Sequence, residues 1–469
     1  MSQENRRERQ DNDRPPLYIG TARQLFVDDF WIAAAKGASR RLHEPVRREV
    51  AIAGDKPWDR ASVCAGGFMK DGDLYRAWYR CDHEPDMVMK RSGHDTAYAE
   101  SKDGVHWEKP NLGIFEVNGS TDNNIVWMGP GANMVPFRDA NPDVPDDERY
   151  KAIVRAGDVF ALVSPDGLHW RLMHEEPILT DRPFDSTNVS FWDLWRDEYV
   201  AYTRGVAGEG NFKGGVRWIR RSTSRDFRHW TPLESINTGD TPFEHLYTNA
   251  CTAYERAPGI YLMFPSRFVF ERSPDPDWTY SPGVNDIVFM SSRDGINFDR
   301  SFMEGFIRPG LDPNNWHDRG IYIERGILQT SLTELSLYGM ENSHLPSMGM
   351  RRYTLRTDGF VSVNAGYAGG EFTTHPLIFS ANELELNYST SAVGFVKVEI
   401  QDAEGQPQPG FALGDCPEIF GDEIEGVVRW EAGADVSALA GKPLRLRFVL
   451  KDADLFAFRF RLAAGSARP

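Results

Sequence analysis

A short signature returns along this chain at a nearly constant interval. It reads S-K-D-G-V-H-W at Ser101–Trp107, S-P-D-G-L-H-W at Ser164–Trp170, S-R-D-F-R-H-W at Ser224–Trp230 and S-R-D-G-I-N-F at Ser292–Phe298. A fifth, weaker copy is R-T-D-G-F at Arg356–Phe360. The aspartates Asp103, Asp166, Asp226, Asp294 and Asp358 follow one another at 63, 60, 68 and 64 residues. Self-similarity at a fixed period marks a repeat architecture. Strand-like sequence before each copy, at a period of about 60, predicts four-stranded propeller blades. The motif has a local reason: the Asp carboxylate can bond the backbone two residues on, Asp-Gly makes a tight turn, and the Trp packs between neighbouring sheets. The expectation is a five-bladed β-propeller in which these aspartates are structural.

At 469 residues the chain suits such a propeller plus one smaller domain. Its 41% hydrophobic and 26% charged residues are ordinary for a chain with a buried core. The net charge of −16 argues against nucleic acid or an anionic membrane as partner. Cys64, Cys81, Cys251 and Cys416 are scattered, which predicts buried free thiols in a reducing compartment. The charged opening M-S-Q-E-N-R-R-E-R-Q is unlike a signal peptide, and no run of about 18 apolar residues occurs, so the expected location is cytoplasmic. Nothing in the sequence opposes a homo-oligomer.

Taken in order, residues 1–17 read as a disordered segment. The apolar strand at Leu25–Ala33 is of the kind that completes the last blade or crosses the ring bottom. Five blades then start near residues 50, 124, 185, 245 and 320, giving a propeller over 18–369. Past Gly369-Gly370 the pattern changes to period-2 strands without the signature, so 370–469 reads as a β-sandwich. The fold class is therefore all-β: a five-bladed β-propeller followed by a C-terminal β-sandwich.

In a propeller the loops entering each first strand form the rim of a funnel, the natural place for a site. Those entries carry Trp58, Asp59 and Arg60; Arg138 and Asp139; Asp185 and Asn188; His245, Tyr247 and Asn249; and Trp316, His317, Asp318, Arg319, Glu324 and Arg325. The second strands end in Arg80, Arg155, Arg204 and Arg267, and in Glu341 in the fifth blade. Arginines so placed either bind a carboxylate or phosphate or pair with acidic residues of adjacent blades. Glycosidic cleavage needs two carboxyl groups, one protonated and one ionised. The candidate carboxylates are Asp59, Asp185 and Glu324, with Asp139 and Glu341 in reserve. Each has a plain alternative as a turn residue or an ion-pair partner. The candidate substrate contacts are Trp58, Arg60, Asn188, Arg204, His245, Tyr247, Asn249, Arg267, Trp316, His317, Arg319 and Arg325. No metal-ligand spacing, phosphate loop or dinucleotide fingerprint occurs, so neither metal nor cofactor is expected.

The stretches L-F-V-D-D-F-W-I, D-K-P-W-D, A-Y-A-E-S-K-D-G-V-H-W-E-K-P-N-L-G, F-D-S-T-N-V-S-F-W-D and G-G-E-F-T-T-H-P-L resemble the five-bladed propeller glycosidases of glycoside hydrolase families 32, 43, 68 and 130. They are most similar to bacterial proteins with a family 32-like N-terminal propeller, and the likeness extends over most of residues 20–462. It implies a propeller with a C-terminal sandwich and activity on a carbohydrate. The family 32 motif W-M-N-D-P-N-G, a clear R-D-P and an E-C dipeptide are absent, so no catalytic role transfers by motif. The leading expectation is a glycoside hydrolase cleaving a small glycoside or oligosaccharide, furanosides included. Its rivals are a phosphorylase using inorganic phosphate, a non-catalytic glycan-binding propeller, and a lyase or isomerase acting on a uronate.

Overall fold

A computed structural model describes residues 14–59, 62–82, 94–185, 187–207, 215–273 and 282–463. Its regular structure is β throughout, apart from three short 3-10 turns among the described residues. The chain divides into two compact units, residues 45–254 with 259–354, and residues 1–44 with 255–258 and 355–469.

The larger unit is a succession of antiparallel sheets. The first holds Cys64–Asp71, Leu74–Cys81, Asp95–Ser101 and Ile125–Trp127. The second holds Phe137–Arg138, Tyr150–Ala156, Asp158–Ser164 and Arg171–Leu172; the third holds Val189–Asp193, Glu198–Ala207, Val216–Ser224 and Glu234–Ser235. The fourth set splits into two hydrogen-bonded pieces, one around Ser266–Val269 and one around Tyr261–Met263. The split falls at Pro265, which has no N–H for a ladder, and Phe264 N–H instead donates to Asn249 O. The last sheet joins Ile321–Ile323, Glu334–Glu341 and Gly349–Arg356 to Val46–Ala53 from the other end of the chain. That fourth strand lies later in the sequence than the strand expected to complete it. Leu25–Ala33 instead belongs to the smaller unit, where Gln24–Leu25 pairs with Leu444–Arg461.

The signature turns join successive sheets. In the copies at Asp103, Asp166, Asp226 and Asp294, one carboxylate oxygen accepts the N–H groups two and three residues on. The carbonyl of Gly167 accepts Trp78 Nε1–H from the first sheet at 2.8 Å, and Gly295 O accepts the Tyr202 hydroxyl of the third sheet at 2.6 Å. Tyr338 of the last sheet donates to Gly104 O beside the first, so the series of contacts returns to its start. The third copy has Phe227 where the others have Gly. It keeps φ +62 and is offset by packing against Phe137 and Tyr199. Burial alone would raise the Asp166 carboxyl, but the His169 and Leu168 N–H groups, the His169 ring and the Ser164 hydroxyl bring it down to about 2. Its contribution to stability is present above the unfolded carboxylate range and is lost as pH falls toward 2. Asp166→Ala is expected to cost about 1–2 kcal/mol, read as a lower urea midpoint at neutral pH with unchanged slope.

A second repeated link was not anticipated. Tyr150, Tyr199 and Tyr261 open the second strands of their sheets, and each donates its hydroxyl to an aspartate ending the first strand of the preceding sheet: Asp71, Asp139 and Asp193. A cation completes each latch: Arg76 at Asp71, Lys151 at Asp139 and Arg196 at Asp193.

In the smaller unit, Glu383–Asp402 and Leu444–Arg461 pair over most of their length, within one ten-stranded hydrogen-bonded set. Alternate residues of these strands, such as Val396, Val398, Ile400, Leu446, Phe448 and Leu450, build its core with Phe26, Trp31 and Phe372. The segments before residue 45 belong here because Ser39–Leu42 pairs with Val361–Ala365 and Ile32–Lys36 with Gly370–Thr374. The unit therefore begins at Leu355 on the C-terminal side, whereas the sequence placed a boundary at 369/370. Of the segment 1–17 read as disordered, residues 1–13 lie outside the described residues. All four cysteines are buried and free.

Candidate functional site

The strand Ile321–Ile323 and the turn before it carry most of a polar cluster. Tyr322 and Glu324 are two residues apart and so share one face of that strand. Glu324 is fully enclosed, and its two oxygens accept Ala65 N–H at 2.8 Å and Gly66 N–H at 2.9 Å. The donors come from a bulge. Cys64 pairs with Arg80 and Gly67 with Trp78, which leaves Ala65 and Gly66 outside the ladder. Ala65 has φ +51, and a Cβ on Gly66 would lie 2.0 Å from Trp78 O, so only glycine fits there. Burial pushes the Glu324 carboxyl up to about 7, against the pull of the two N–H groups and Arg80.

Arg80 acts electrostatically on Glu324 and also meets the field of Arg319, where groups from several sheets gather. Asp318 holds the Arg319 guanidinium through Nε and NH2, each at 2.9 Å, and burial raises its carboxyl against that partner. The Arg319 backbone has φ +61 and donates its N–H to the buried Asn285 at 2.7 Å. Tyr322 stacks on Tyr247 with ring centroids 5.5 Å apart. Arg204, its side chain enclosed, lies over the Tyr247 ring at 4.3 Å and meets Asp185 at 3.5 Å. The Asp185 side chain is 37% exposed, which makes it the solvent-facing carboxylate of the group. Arg217 also lies near this aromatic set, 5.2 Å from the Tyr247 ring, and its backbone N–H donates to His245 Nδ1 at 3.1 Å. Burial and the charges of Arg319, Arg80 and His317 push the His344 imidazole down to about 3. Burial and then Arg217 and Arg204 lower His245 as well. Ala65, Arg319, Asn342 and His344 all hold positive φ, a concentration of strained backbone around one cluster.

The remaining sequence candidates lie elsewhere or are otherwise engaged. Asp59 is enclosed between Lys109 Nζ at 2.5 Å and the Tyr79 hydroxyl at 3.1 Å, on a network separate from Arg319. Asp139 belongs to the repeated tyrosine latch, with Lys151 Nζ at 2.7 Å. Glu341 is held by Arg47 at 2.7 Å, Arg351 at 2.5 Å and the Tyr353 hydroxyl. Arg267 pairs with Asp286 and Glu244, the plain alternative for these arginines. Trp58 donates to Asn124 at 2.7 Å, and Trp316 to Gly310 O at 2.8 Å. Asn188 and Asn249 are buried and spend their amides on backbone groups around Asp185 and Thr187. Arg325 lies over Phe191 at 5.4 Å, while His317 Nδ1 meets Asp318 O at 2.8 Å within the cluster. Arg60 lies outside the described residues. Thus Asp185, Arg204, His245, Tyr247, His317 and Arg319 come together, with Glu324 connected to them through Arg80; sequence reading did not single out Tyr322, Arg217 or His344. The alternation that pairs Tyr322 with Glu324 was a usable signal for the first. Among the described residues no group of three or more His, Cys, Asp or Glu side chains is placed to hold a metal ion.

Asp139→Asn leaves the buried Lys151 ammonium facing a neutral amide. The expected loss is about 3–5 kcal/mol in a denaturant titration. Turnover per folded molecule should stay near wild type; a loss of kcat with unchanged stability would return Asp139 to the site.

No protein-family model matches the chain, and no curated protein matches it. Among solved structures it is similar to an N-acetylgalactosamine deacetylase from F. plautii in complex with blood group B trisaccharide, at 14% identity over 68% of this chain and 96% of that one, TM-score 0.45. It is also similar to a glycoside hydrolase family 43 arabinoxylan arabinofuranohydrolase from Bacillus subtilis in complex with cellotetraose. There the identity is 13% over 89% of this chain and 99% of that one, TM-score 0.43. A third is a structure from the GH130 family of mannoside phosphorylases, described as containing glycoside hydrolases that target beta-1,2 mannosidic linkages in Candida mannan. It is 13% identical over 71% of this chain and 94% of that one, TM-score 0.41.

Proposed function

We propose that residues 45–354 form a five-bladed β-propeller, that the smaller unit is a β-sandwich, and that the protein is a glycoside hydrolase acting on a small glycoside or oligosaccharide. The observation that carries this reading is the pair Glu324 and Asp185, two carboxyl groups in unlike surroundings on one polar cluster. Glu324, enclosed and raised to about 7, supplies the proton for the leaving oxygen. Once the proton has gone, the Ala65 and Gly66 N–H groups are already in place to hold the carboxylate. Asp185, solvent-facing and oriented by Arg204, is the second carboxylate, acting as nucleophile or activating water. Tyr247 and its neighbours offer aromatic surface to the sugar. A phosphorylase is the second reading, favoured by Arg204, Arg217 and Arg319 around Tyr247 and Tyr322.

The test is a turnover screen of the full chain on aryl glycosides and natural oligosaccharides, furanosides included, with and without phosphate. Sugar release without phosphate is the expected result. Release only with phosphate selects the phosphorylase. Binding of glycans with no turnover of any substrate, under either condition, would overturn both.

A further inference from the structure

Buried polar groups almost always find partners, and donors left without acceptors call for an explanation. Three such donors surround Asp318 and Arg319. The Tyr322 hydroxyl, in a residue only 5% exposed, has no hydrogen-bond partner among the described residues. Arg80 Nε of the first sheet and Arg217 Nε of the third are likewise buried without an acceptor. Tyr322 stacks on Tyr247 at 5.5 Å, Arg217 lies 5.2 Å from the same Tyr247 ring, and Arg319 acts electrostatically on both Tyr322 and Arg80, so the three donors share one neighbourhood. Most nearby carboxylates are already engaged. Asp318 is taken by Arg319, Asp185 by Arg204, and Glu324 by two backbone N–H groups. Asp82 meets His94 at 2.7 Å and reaches Arg80 only at 4.0 Å, through NH2 and not Nε. Burial first, and then Arg319 and Arg80 at His344 and Arg217 and Arg204 at His245, hold these imidazoles toward their neutral forms. Among the described residues of this neighbourhood two buried side-chain oxygens that only accept are also without a hydrogen bond, Asp82 Oδ2 and Asn342 Oδ1, and only the first carries charge, so cationic donors still outnumber acceptors in the cluster.

We propose that this cluster binds an oxyanion, held by Tyr322, Arg80, Arg217 and Arg319, which is either a carboxylate carried on the sugar or a phosphate that enters with it. A neutral sugar hydroxyl brings fewer lone pairs and no charge. A carboxylate or phosphate answers several guanidinium and phenol donors at once. The substrate class of the proposed glycosidase is then an acidic glycoside, or a neutral one cleaved with phosphate. The inference rests on the reading of this cluster as the active site.

The experiment titrates the full chain with sodium D-glucuronate, sodium D-galacturonate, sodium phosphate and D-glucose at constant ionic strength, by calorimetry. In parallel, 4-nitrophenyl uronosides and their neutral counterparts are assayed with and without phosphate. At least one of the anions is expected to bind where glucose at equal concentration does not. Tyr322→Phe, which keeps the stack on Tyr247, should weaken that binding by roughly tenfold or more, and Arg217→Gln should weaken it further. Binding of a uronate with preferred turnover of uronosides identifies a sugar carboxylate; phosphate binding with phosphate-dependent turnover of neutral glycosides identifies phosphate. Turnover of neutral glycosides without phosphate, and with no anion bound, overturns the proposal while the hydrolase stands. An anion bound and lost in Tyr322→Phe, with no glycoside turned over, keeps the oxyanion site and removes the glycosidase. Anion affinity unchanged in both variants places the binding elsewhere and overturns the site.

Discussion

Replacing Glu324 by Gln is expected to lower kcat by roughly 10²–10⁴-fold on substrates whose leaving group needs a proton. Activated aryl glycosides, whose leaving groups depart without one, should lose much less. The wild-type pH profile carries the second half of the prediction. The acid works in its protonated form, so activity should fall as pH rises through about 7, where the Glu324 carboxyl loses its proton. That alkaline limb should disappear in the variant. Stability changes as well, because a Gln amide turns an N–H donor toward Ala65 or Gly66 N–H where an oxygen used to accept it. Thermal unfolding must therefore accompany the kinetics, so that the loss is read per folded molecule. Wild-type turnover of a poor-leaving-group substrate by folded Glu324→Gln would falsify the assignment.

Asp185→Asn tests the other half of the pair and should reduce kcat by at least ~10²-fold on all substrates, activated ones included. The distinction from Glu324 lies in that indifference to the leaving group. If Asp185 is the nucleophile, azide or formate added to Asp185→Asn should restore part of the rate and give a product of inverted configuration; if it activates water, the variant stays slow. Arg204, with its side chain enclosed, keeps the Tyr247 carbonyl at 3.1 Å and loses a charge partner at 3.5 Å. A modest fall in Tm is expected from this. A fall in Tm without a fall in kcat would leave Asp185 as a structural partner of Arg204.

The sequence carried the all-β character and the structural nature of the signature aspartates, because both arise from short-range chemistry. An Asp that bonds N–H groups two and three residues ahead is legible from its neighbours alone. The tyrosine latch was equally periodic, in R-Y-K-A, E-Y-V-A and I-Y-L-M, yet it links Asp139 to Tyr199 across sheets. Asp139 therefore looked like a free carboxylate at a rim until Tyr199 and Lys151 were seen on it. Glu341 misled for the same reason, since one partner, Arg47, lies in a distant part of the chain. The site was legible in part. Asp185, Glu324, Tyr247 and Arg319 stood out as polar groups at strand entries, and Arg204 as an arginine ending a second strand. Arg217 and His344 come instead from a third strand and from a turn after a second strand, where no rule for entry loops points. The place of residues before 45 in the smaller unit depends on pairing with strands more than 300 positions away, which no local pattern encodes.

The bulge at Ala65 and Gly66 has a consequence for how this protein comes to be active. The N–H groups that hold Glu324 lie 259 and 258 positions earlier in the chain, and Phe68 N–H just beyond them donates to Arg325 O at 2.7 Å. The first and last sheets thus meet at the acid itself. While they are apart, Glu324 is an ordinary solvated glutamate, ionised above its usual range near 4.5. When they come together, burial moves it to about 7. Between those two values Glu324 itself takes up about one proton on closure, while His344 and His245, lowered by burial in the same cluster, give protons up. Refolding of wild type and of Glu324→Gln in a weakly buffered indicator near pH 6 should therefore differ by about one proton, the wild type taking up more as the site assembles. In this chain the meeting of the first and last sheets and the arming of the acid are one event.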